Sequence, residues 1–395
     1  MSAITFGTPE LFSGSVGSYV ISAAMDSTHS MVIYTKSNGL YAKVCTVTGT
    51  SISYGSEYAV YESDTNMSNL SATALDSTHV VIVWNREWYS QSKSVIATVA
   101  NVNEISFGTI YQMDPSDYVY EPSVHKISST KFLVSYSNSS GSYSIRSIVG
   151  TVSNGNEIAY GSVYQLPDEA NAYMRVSALL DSTHFAVSFT DSNTNPMDMN
   201  NVIGTISGTE ISYGTVYTFN SSSFPPYDII NSTRASTMTA LSSSSYVITF
   251  PMFDEVGYVN SYTAARVCTV TGSDISFGDE QEITSPAAKA EIVDCVSDKI
   301  GSSSFLLSYV HPGSCYYFPD TDPSVVSCSV SAGVITVGDE AMAYDGEVNI
   351  QYSSLLSPTL FVLAYITNTN NGYCVVGQIP SGARTSAPLP MFRTS

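Results

Sequence analysis

The stretch Leu75-Asp-Ser-Thr-His79, which runs directly into Val80-Val-Ile-Val-Trp84, decides the fold because versions of it recur along the whole chain. Apolar β-branched runs that follow Asp and Ser turn residues predict strands. A β-rich repeat of this length is typical of propeller blades or of a solenoid. The seven versions are spaced 50 to 61 residues apart and begin at Met25, Leu75, Ile127, Leu180, Leu241, Ile300 and Leu356.

A second motif, Glu104-Ile-Ser-Phe-Gly108 in its fullest form, alternates with the first and distinguishes a ring from a solenoid. One copy, Ile4-Thr-Phe-Gly7, precedes every turn motif, whereas no copy follows the turn motif at Leu356. Only a closed ring needs its first strand to complete its last blade. The sequence therefore predicts an all-β, seven-bladed β-propeller over residues 1–380, closed by its N-terminal strand, and a C-terminal tail at 381–395.

Each blade is predicted to contain four strands, which in the second repeat are A (69–75), B (80–84), C (94–99) and D (105–111). Strand B ends on an aromatic residue in every blade, and we expect these rings in the core, packed against smaller side chains of the next blade. They are Tyr34, Trp84, Tyr136, Phe189, Phe250, Tyr309 and Tyr365. The glycine that ends each second motif predicts a bulge or a close backbone approach.

One position in strand C admits only small residues, which predicts close packing at that point. It is occupied by Cys45, Ala97, Gly150, Gly204, Cys268, Cys328 and Gly377. We expect the three cysteines among them to act as small buried apolar groups. The remaining cysteines, Cys295, Cys315 and Cys374, have no metal-binding spacing, and a disulfide among them stays open.

Composition limits the classes of partner. The formal net charge of −20 repels a phosphate backbone and excludes DNA and RNA as expected partners. No apolar run has the length of a membrane span. Nothing resembles a phosphate-binding loop, so we expect no cofactor. Because a blade strand is predicted from Ile4 onward, we also expect no secretory signal, although the Ser-, Thr- and Tyr-rich composition is that of an outward-facing protein.

The Asp-Ser-Thr-His turn contains the residue types of a catalytic triad, but we interpret it as structural. Asp and Ser at turns bond neighbouring backbone amides, and other blades replace them freely. The histidines His29, His79 and His184 are separated by whole blades, which disfavours a metal site. The segment Asp191-Ser-Asn-Thr-Asn195 lacks the glycine and the distal acid of a calcium loop. We therefore expect no metal and no catalysis.

The segments that vary between blades are the B-to-C loops and the D-to-A links, which a propeller places together on one face, here called the loop face. Function tends to lie on variable loops of a rigid scaffold. The loops are rich in aromatic residues, whose amphipathic rings suit sugar faces or protein anchors. The candidate binding residues are Trp88, Tyr89, Tyr118, Tyr120, Tyr173, Phe253, Tyr258, Tyr316, Tyr317 and Phe318.

The repeats resemble those of largely uncharacterised propeller proteins of bacteria and viruses, including phages. Leu180-Asp-Ser-Thr-His-Phe-Ala-Val-Ser-Phe189 and Gly204-Thr-Ile-Ser-Gly-Thr-Glu-Ile-Ser-Tyr-Gly214 carry the resemblance best. It implies the fold and makes a phage structural role plausible, but it brings no active site. We expect a non-catalytic virion component of a tail, fibre or capsid that binds other virion proteins or a host surface glycan. The alternatives are an exported cell-surface lectin or adhesin and, third, a polysaccharide-degrading enzyme.

Overall fold

Period-two alternation of apolar and polar residues produces strands throughout, and the described chain contains no helix. The computed structural model describes residues 3–36, 39–62, 67–86, 92–114, 119–138, 143–167, 172–191, 199–219, 236–252, 262–283, 294–310, 323–344, 346 and 348–380. No described segment forms an apolar helix that could span a membrane. The strands form seven antiparallel sheets, which are the blades, numbered here by the chain order of their A strands.

The first two strands of each blade are joined by the turn motif. The A strands are Val20–Ala24, Met67–Ala74, Val119–Ser128, Ala172–Leu179, Thr237–Ser242, Asp294–Gly301 and Val348–Ser357. The B strands are His29–Lys36, His79–Arg86, Lys131–Asn138, His184–Asp191, Ser245–Met252, Ser304–Val310 and Leu360–Thr367. Each A strand contacts the A strands of both neighbouring blades, so that the seven A strands close an innermost ring.

Strand C pairs with the outer strand, which is divided in two. The C strands are Gly39–Thr48, Lys93–Asn101, Ser144–Ser153, Met199–Ser207, Tyr262–Thr271, Pro323–Ser331 and Gly372–Gln378. The D strands of blades 1 to 7 are Ser51–Tyr54, Glu104–Phe107, Glu157–Tyr160, Glu210–Tyr213, Asp274–Phe277, Val334–Val337 and Thr5–Phe6. The short continuations, D′, are Tyr58–Glu62, Tyr111–Gln112, Tyr164–Gln165, Tyr217–Phe219, Gln281–Glu282, Ala341–Met342 and Glu10–Ser13.

The division of the outer strand corrects the prediction of one continuous strand D over 105–111. In blade 2 the ladder pairs Phe107 with Ala97 and then stops at Gly108, whose N–H still bonds the carbonyl of Ile96 at 2.9 Å. Pairing resumes at Tyr111 opposite Ser94. The interruption falls where the glycine approaches the neighbouring blade.

The ring is closed by the N-terminal strands, as predicted. Thr5 and Phe6 pair with Gln378 and Gly377, and further along Glu10 pairs with Cys374. Phe12 is buried, and its ring lies 4.8 Å from that of Tyr34 in blade 1. The closing segment therefore joins the last blade to the first as well as completing the last sheet.

The predicted core positions are confirmed. The seven aromatic residues at the end of strand B are all 0–1% exposed. The small position of strand C lies directly opposite the first inward residue of strand B: Gly204 pairs with Phe185, and a Cβ at Gly204 would overlap the Phe185 ring. The same pairing joins Tyr246 to Cys268 and Phe305 to Cys328. No disulfide joins any two of the described cysteines.

The glycine of the second motif makes the close backbone approach that was predicted. A Cβ at Gly55 would overlap the carbonyl oxygen of Val102, which lies in the C-to-D turn of blade 2. Gly108 meets Asn156 of blade 3 in the same way. Each of these outer strands thus rests against the turn of the next blade. Gly338 meets only Ser327 of its own blade, since blade 7 takes its D strand from the other end of the chain and has no such hairpin.

Candidate binding site at the loop face

Two of the ten predicted binding residues, Tyr120 and Tyr173, lie among the described residues. Both stand second in an A strand, in blades 3 and 4, at the end where the chain enters from the loop face. Tyr120 is 48% exposed, whereas Tyr173 is partly buried. The remaining eight lie outside the described residues: Trp88, Tyr89, Tyr118, Phe253, Tyr258, Tyr316, Tyr317 and Phe318.

Tyr173 stacks on an aromatic residue that the sequence did not single out. The ring centroids of Tyr143 and Tyr173 are 3.9 Å apart, with 33° between the ring planes. The residue before strand C of blade 3 is tied to strand A of blade 4, because the N–H of Ala172 donates to the carbonyl of Tyr143 at 3.0 Å. The N–H of Met174 donates to the Ser137 hydroxyl at 2.6 Å. The only sequence signal for Tyr143 was its place just ahead of strand C.

The A strands are bulged near their loop-face ends, which no pattern in the sequence predicted. Register shifts occur in blades 2, 3, 4 and 7. Within two of these bulges, Asn69 and Glu121 adopt left-handed backbone conformations, both with φ of 51°. Bulges and left-handed non-glycine residues concentrate next to binding sites, because they redirect side chains. The inner rim of the loop face, formed by these strand ends, is therefore the candidate site.

Hydroxyl groups hold the A strands of neighbouring blades together below this rim. Burial lowers the pKa of His125 to about 4, and burial raises the pKa of Asp298 to about 6. Each bonds a serine of the next blade, so both are structural members of the ring. The inter-blade pairs are Ser22 with Ser354, Ser71 with Val124, His125 with Ser177, Thr237 with Ser297, and Asp298 with Ser353.

The turn motifs on the opposite face have the structural role that was predicted. The Asp76 carboxylate accepts the backbone N–H groups of Thr78 and His79 at 2.7 and 2.8 Å. Burial acts to raise the pKa of Asp76, but the bonds from the Thr78 backbone and hydroxyl, together with the His79 ring, hold that pKa below its usual value. The His79 ring also lies 3.0 Å from this carboxylate, a contact not expected from the sequence. Among the described residues no group of three or more His, Cys, Asp or Glu side chains is placed to hold a metal ion.

The sequence matches no family model and no curated protein. Solved structures resemble the fold at very low identity. The β-propeller domain of the Trilobed protease from Pyrococcus furiosus, described as having an open velcro topology, aligns with a TM-score of 0.50 and 8% identity over 93% of this chain and 94% of that domain. A putative 6-phosphogluconolactonase from Bacteroides fragilis gives 0.54 and 9% over 87% and 92%. The polysaccharide lyase Uly1 gives 0.53 and 7% over 90% of each chain.

These likenesses concern the fold alone. Together with the seven sheets and the closed inner ring, they define the class of the protein as a seven-bladed β-propeller.

Proposed function

We propose that this propeller is a non-catalytic phage virion component, mounted on a tail, fibre or capsid, which binds another virion protein or a host surface glycan through its loop face. The observation that carries the proposal is the aromatic group on the inner rim of blades 3 and 4: exposed Tyr120 and the Tyr143–Tyr173 stack. Aromatic rings that combine an apolar body with a polar hydroxyl are enriched at binding surfaces.

Rigidity supports a binding role for this rim. Tyr120 and Tyr173 are carried by strands, Tyr143 stands one residue before a strand, and hydrogen bonds join blades 3 and 4 on either side of Tyr173. A preorganised surface loses little conformational freedom when a partner binds. Such a surface suits attachment, in which the same contact must form repeatedly without rearrangement.

Charge favours a neutral or basic partner. The chain carries 34 acidic against 14 basic residues. A surface of this sign repels nucleic acid and anionic membranes, while a neutral glycan or a basic protein surface meets no such repulsion. The composition and the resemblance of the repeats to propellers of bacteria and viruses support a place on the virion.

Two measurements test the proposal. Cryo-electron microscopy of virions purified from the organism that encodes the chain should show density for a seven-bladed ring, and virions without it would refute a structural role. Binding of the isolated protein to a glycan array, or to purified virion proteins, should weaken about tenfold in Tyr120→Ala and Tyr173→Ala. Met342→Ala is the matched control, since Met342 is 53% exposed on an outer strand away from the inner rim.

A further inference from the structure

The interface of blades 6 and 7 lacks a contact that the other six interfaces make near the outer edge of the ring. In those interfaces the glycine after strand D lies against the C-to-D turn of the next blade, as Gly214 lies against Ser273. Side chains of D′ add to this contact, and the Tyr217 hydroxyl donates to Asp274 at 2.6 Å. Blade 7 takes its D strand from the N-terminal segment and therefore has no C-to-D turn. Among the described residues, this part of blade 6 has no such neighbour.

Blade 6 also departs from the repeat at this interface. The first residue of its D strand is Val334, which is 53% exposed. The corresponding residues of blades 1 to 5 are all polar: Ser51, Glu104, Glu157, Glu210 and Asp274. The first residue of D′ is a tyrosine or glutamine in blades 1 to 5, but it is Ala341 in blade 6. Blade 6 has thus exchanged polar or long side chains for short apolar ones where the neighbouring turn is missing.

These residues lie on one face of the blade 6 sheet. Val334 pairs with Ser331 of strand C, and Ala341 pairs with Val325. Positions 325 and 331 are an even number of residues apart, so their side chains project from the same face. Val325 and Ala341 belong to the apolar cluster shared with blade 7, which identifies that face as the one toward blade 7. We call this strip the blade 6 corner, and it consists of Val334, Thr336, Gly338 and Ala341.

Strand C of blade 7 leads to the place of the missing turn. The N–H of Ile379 donates to the carbonyl of Thr359 at 2.9 Å, and Val330 makes the same bond just before the C-to-D turn of blade 6. Residues 381 and 382 therefore have the sequence positions of a C-to-D turn, and Gly382 corresponds to the turn glycine Gly333. The segment that follows begins next to the blade 6 corner.

The composition of residues 381–395 complements this corner. The segment contains the apolar run Pro388-Leu-Pro-Met-Phe392 and two arginines but no acidic residue, whereas the whole chain has a net charge of −20. Asp339 is exposed beside the corner. An extended chain spans up to about 3.3 Å per residue, so the nine residues from Pro380 to Leu389 can reach about 30 Å, more than the length of strand D. The run can therefore reach Val334.

We propose that residues 381–395 dock on the blade 6 corner of their own chain. Residues 381 and 382 take the place of the missing turn beside Gly338, and the apolar run covers Val334. The covalent link gives the segment a high effective concentration at the corner, which favours this contact over one between copies. The prolines have no N–H to donate, so the run packs through side chains and does not extend the sheet. The contact shields an apolar strand edge from association with other copies.

The test measures tryptic cleavage of the full chain after Arg384, followed by intact mass spectrometry as the loss of residues 385–395. A docked segment resists cleavage, so the native protein should be cut at least about tenfold more slowly than a synthetic peptide of residues 379–395. Val334→Ser, which introduces the residue type of blade 1, should raise the cleavage rate about fivefold, because it removes apolar contact area. The double variant Leu389→Ser and Phe392→Ser should raise it at least as much.

Met342→Ser is the matched control. Met342 is also 53% exposed and belongs to the same sheet, but it pairs with Ser324 and so projects from the opposite face. Its replacement should leave the cleavage rate unchanged. The melting temperatures of both single variants should stay within about 2 °C of the native value, because both positions are exposed. Faster cleavage of Val334→Ser at an unchanged melting temperature then reports release of the segment rather than loss of the fold.

Three outcomes would overturn the proposal. Cleavage of the native chain as fast as the synthetic peptide would show that the segment does not dock. Equal cleavage rates in the native protein and Val334→Ser, or equal acceleration by Val334→Ser and Met342→Ser, would show that it does not dock on the blade 6 corner. Protection that increases with protein concentration would assign the contact to a second copy of the chain, whereas protection that is independent of concentration supports docking within one chain.

Discussion

Asp298 shows at the scale of one residue how the inner ring uses a titratable group. Its carboxylate accepts the hydroxyl of Ser353 in blade 7, and Ser353 in turn accepts the hydroxyl of Ser308 at 2.8 Å. Burial raises the pKa of Asp298 to about 6, while bonds from Ser353 and the backbone of Leu355 act in the opposite direction. The folded state therefore holds the proton more tightly than the unfolded chain does.

The raised pKa of Asp298 determines whether the free energy of unfolding rises or falls with pH. Folding takes up a proton at Asp298 between about pH 4 and pH 6, so the contribution of this group to stability falls as the pH rises through that window. Asp298→Asn, whose carbonyl can still accept from Ser353, should remove this dependence. It should raise the free energy of unfolding at pH 7.5 by about 1 kcal/mol, after allowance for partial solvent access.

Urea unfolding of the native protein and of Asp298→Asn, each at pH 4.5 and pH 7.5, provides the check. Ser308→Ala serves as a control, because it removes a neighbouring hydroxyl but no titratable group. If Asp298→Asn keeps the full difference in unfolding free energy between the two pH values, Asp298 is not the group that causes the pH dependence.

At the scale of the element, the outer strand is shaped by its glycine. Where the next blade presents a C-to-D turn, the glycine leaves room for a backbone carbonyl, as Gly55 does for Val102. Gly278 is less confined: its nearest neighbour is the Val267 carbonyl oxygen, which would lie 3.1 Å from an added Cβ. The glycine of the motif is therefore packed more closely in some blades than in others.

Substitution of these glycines should separate the two cases. Gly55→Ala forces a Cβ into the backbone of blade 2 and should destabilise the protein by about 1–3 kcal/mol, the usual cost of overpacking. Gly278→Ala requires a shift of only a few tenths of an ångström and should cost less than half as much. Thermal unfolding of the two variants measures the difference, and equal losses would show that the close approach is not what confines the motif to glycine.

At the scale of the whole molecule, closure depends on the first strands. Thr5–Phe6 and Glu10–Ser13 supply the outer edge of blade 7. This segment also bonds blade 1, since Lys43 Nζ donates to the carbonyl of Phe12 at 2.6 Å and the Tyr54 hydroxyl donates to that of Glu10 at 2.9 Å. Its removal would expose a strand edge and the apolar surface behind it.

Deletion of residues 1–13 should therefore lower the melting temperature of the whole ring by about 10 °C or more and promote aggregation. Differential scanning calorimetry measures the change. Deletion of residues 381–395 is the control of similar length. This tail is predicted from its prolines to add no strand, and it lies outside the described residues. Equal melting temperatures for the first deletion and the intact chain would contradict closure by the N-terminus.

The amino-acid sequence alone determined the fold class, the number of blades, the closure by Ile4 to Gly7, the burial of the B-strand aromatics and the role of the repeated glycine. These features could be predicted because each is local and recurs: a position that is small or aromatic in every blade reveals its packing without any knowledge of its neighbours. The break in strand D was missed, although the glycine at which it falls was predicted to mark a bulge or a close backbone approach. Blade 6 has the same break beside Gly338, which among the described residues meets only its own blade.

Only the tertiary structure decided the features that occur once. The stack of Tyr143 on Tyr173 joins two blades, and the left-handed Glu121 lies in a bulge between Tyr120 and Ser123. The buried polar atoms of Gln351 and Tyr365 that have no hydrogen-bond partner among the described residues likewise become visible only when strands A and B of blade 7 are paired. Residues distant in sequence meet through the geometry of the ring, and no periodicity encodes which side chains then find a partner.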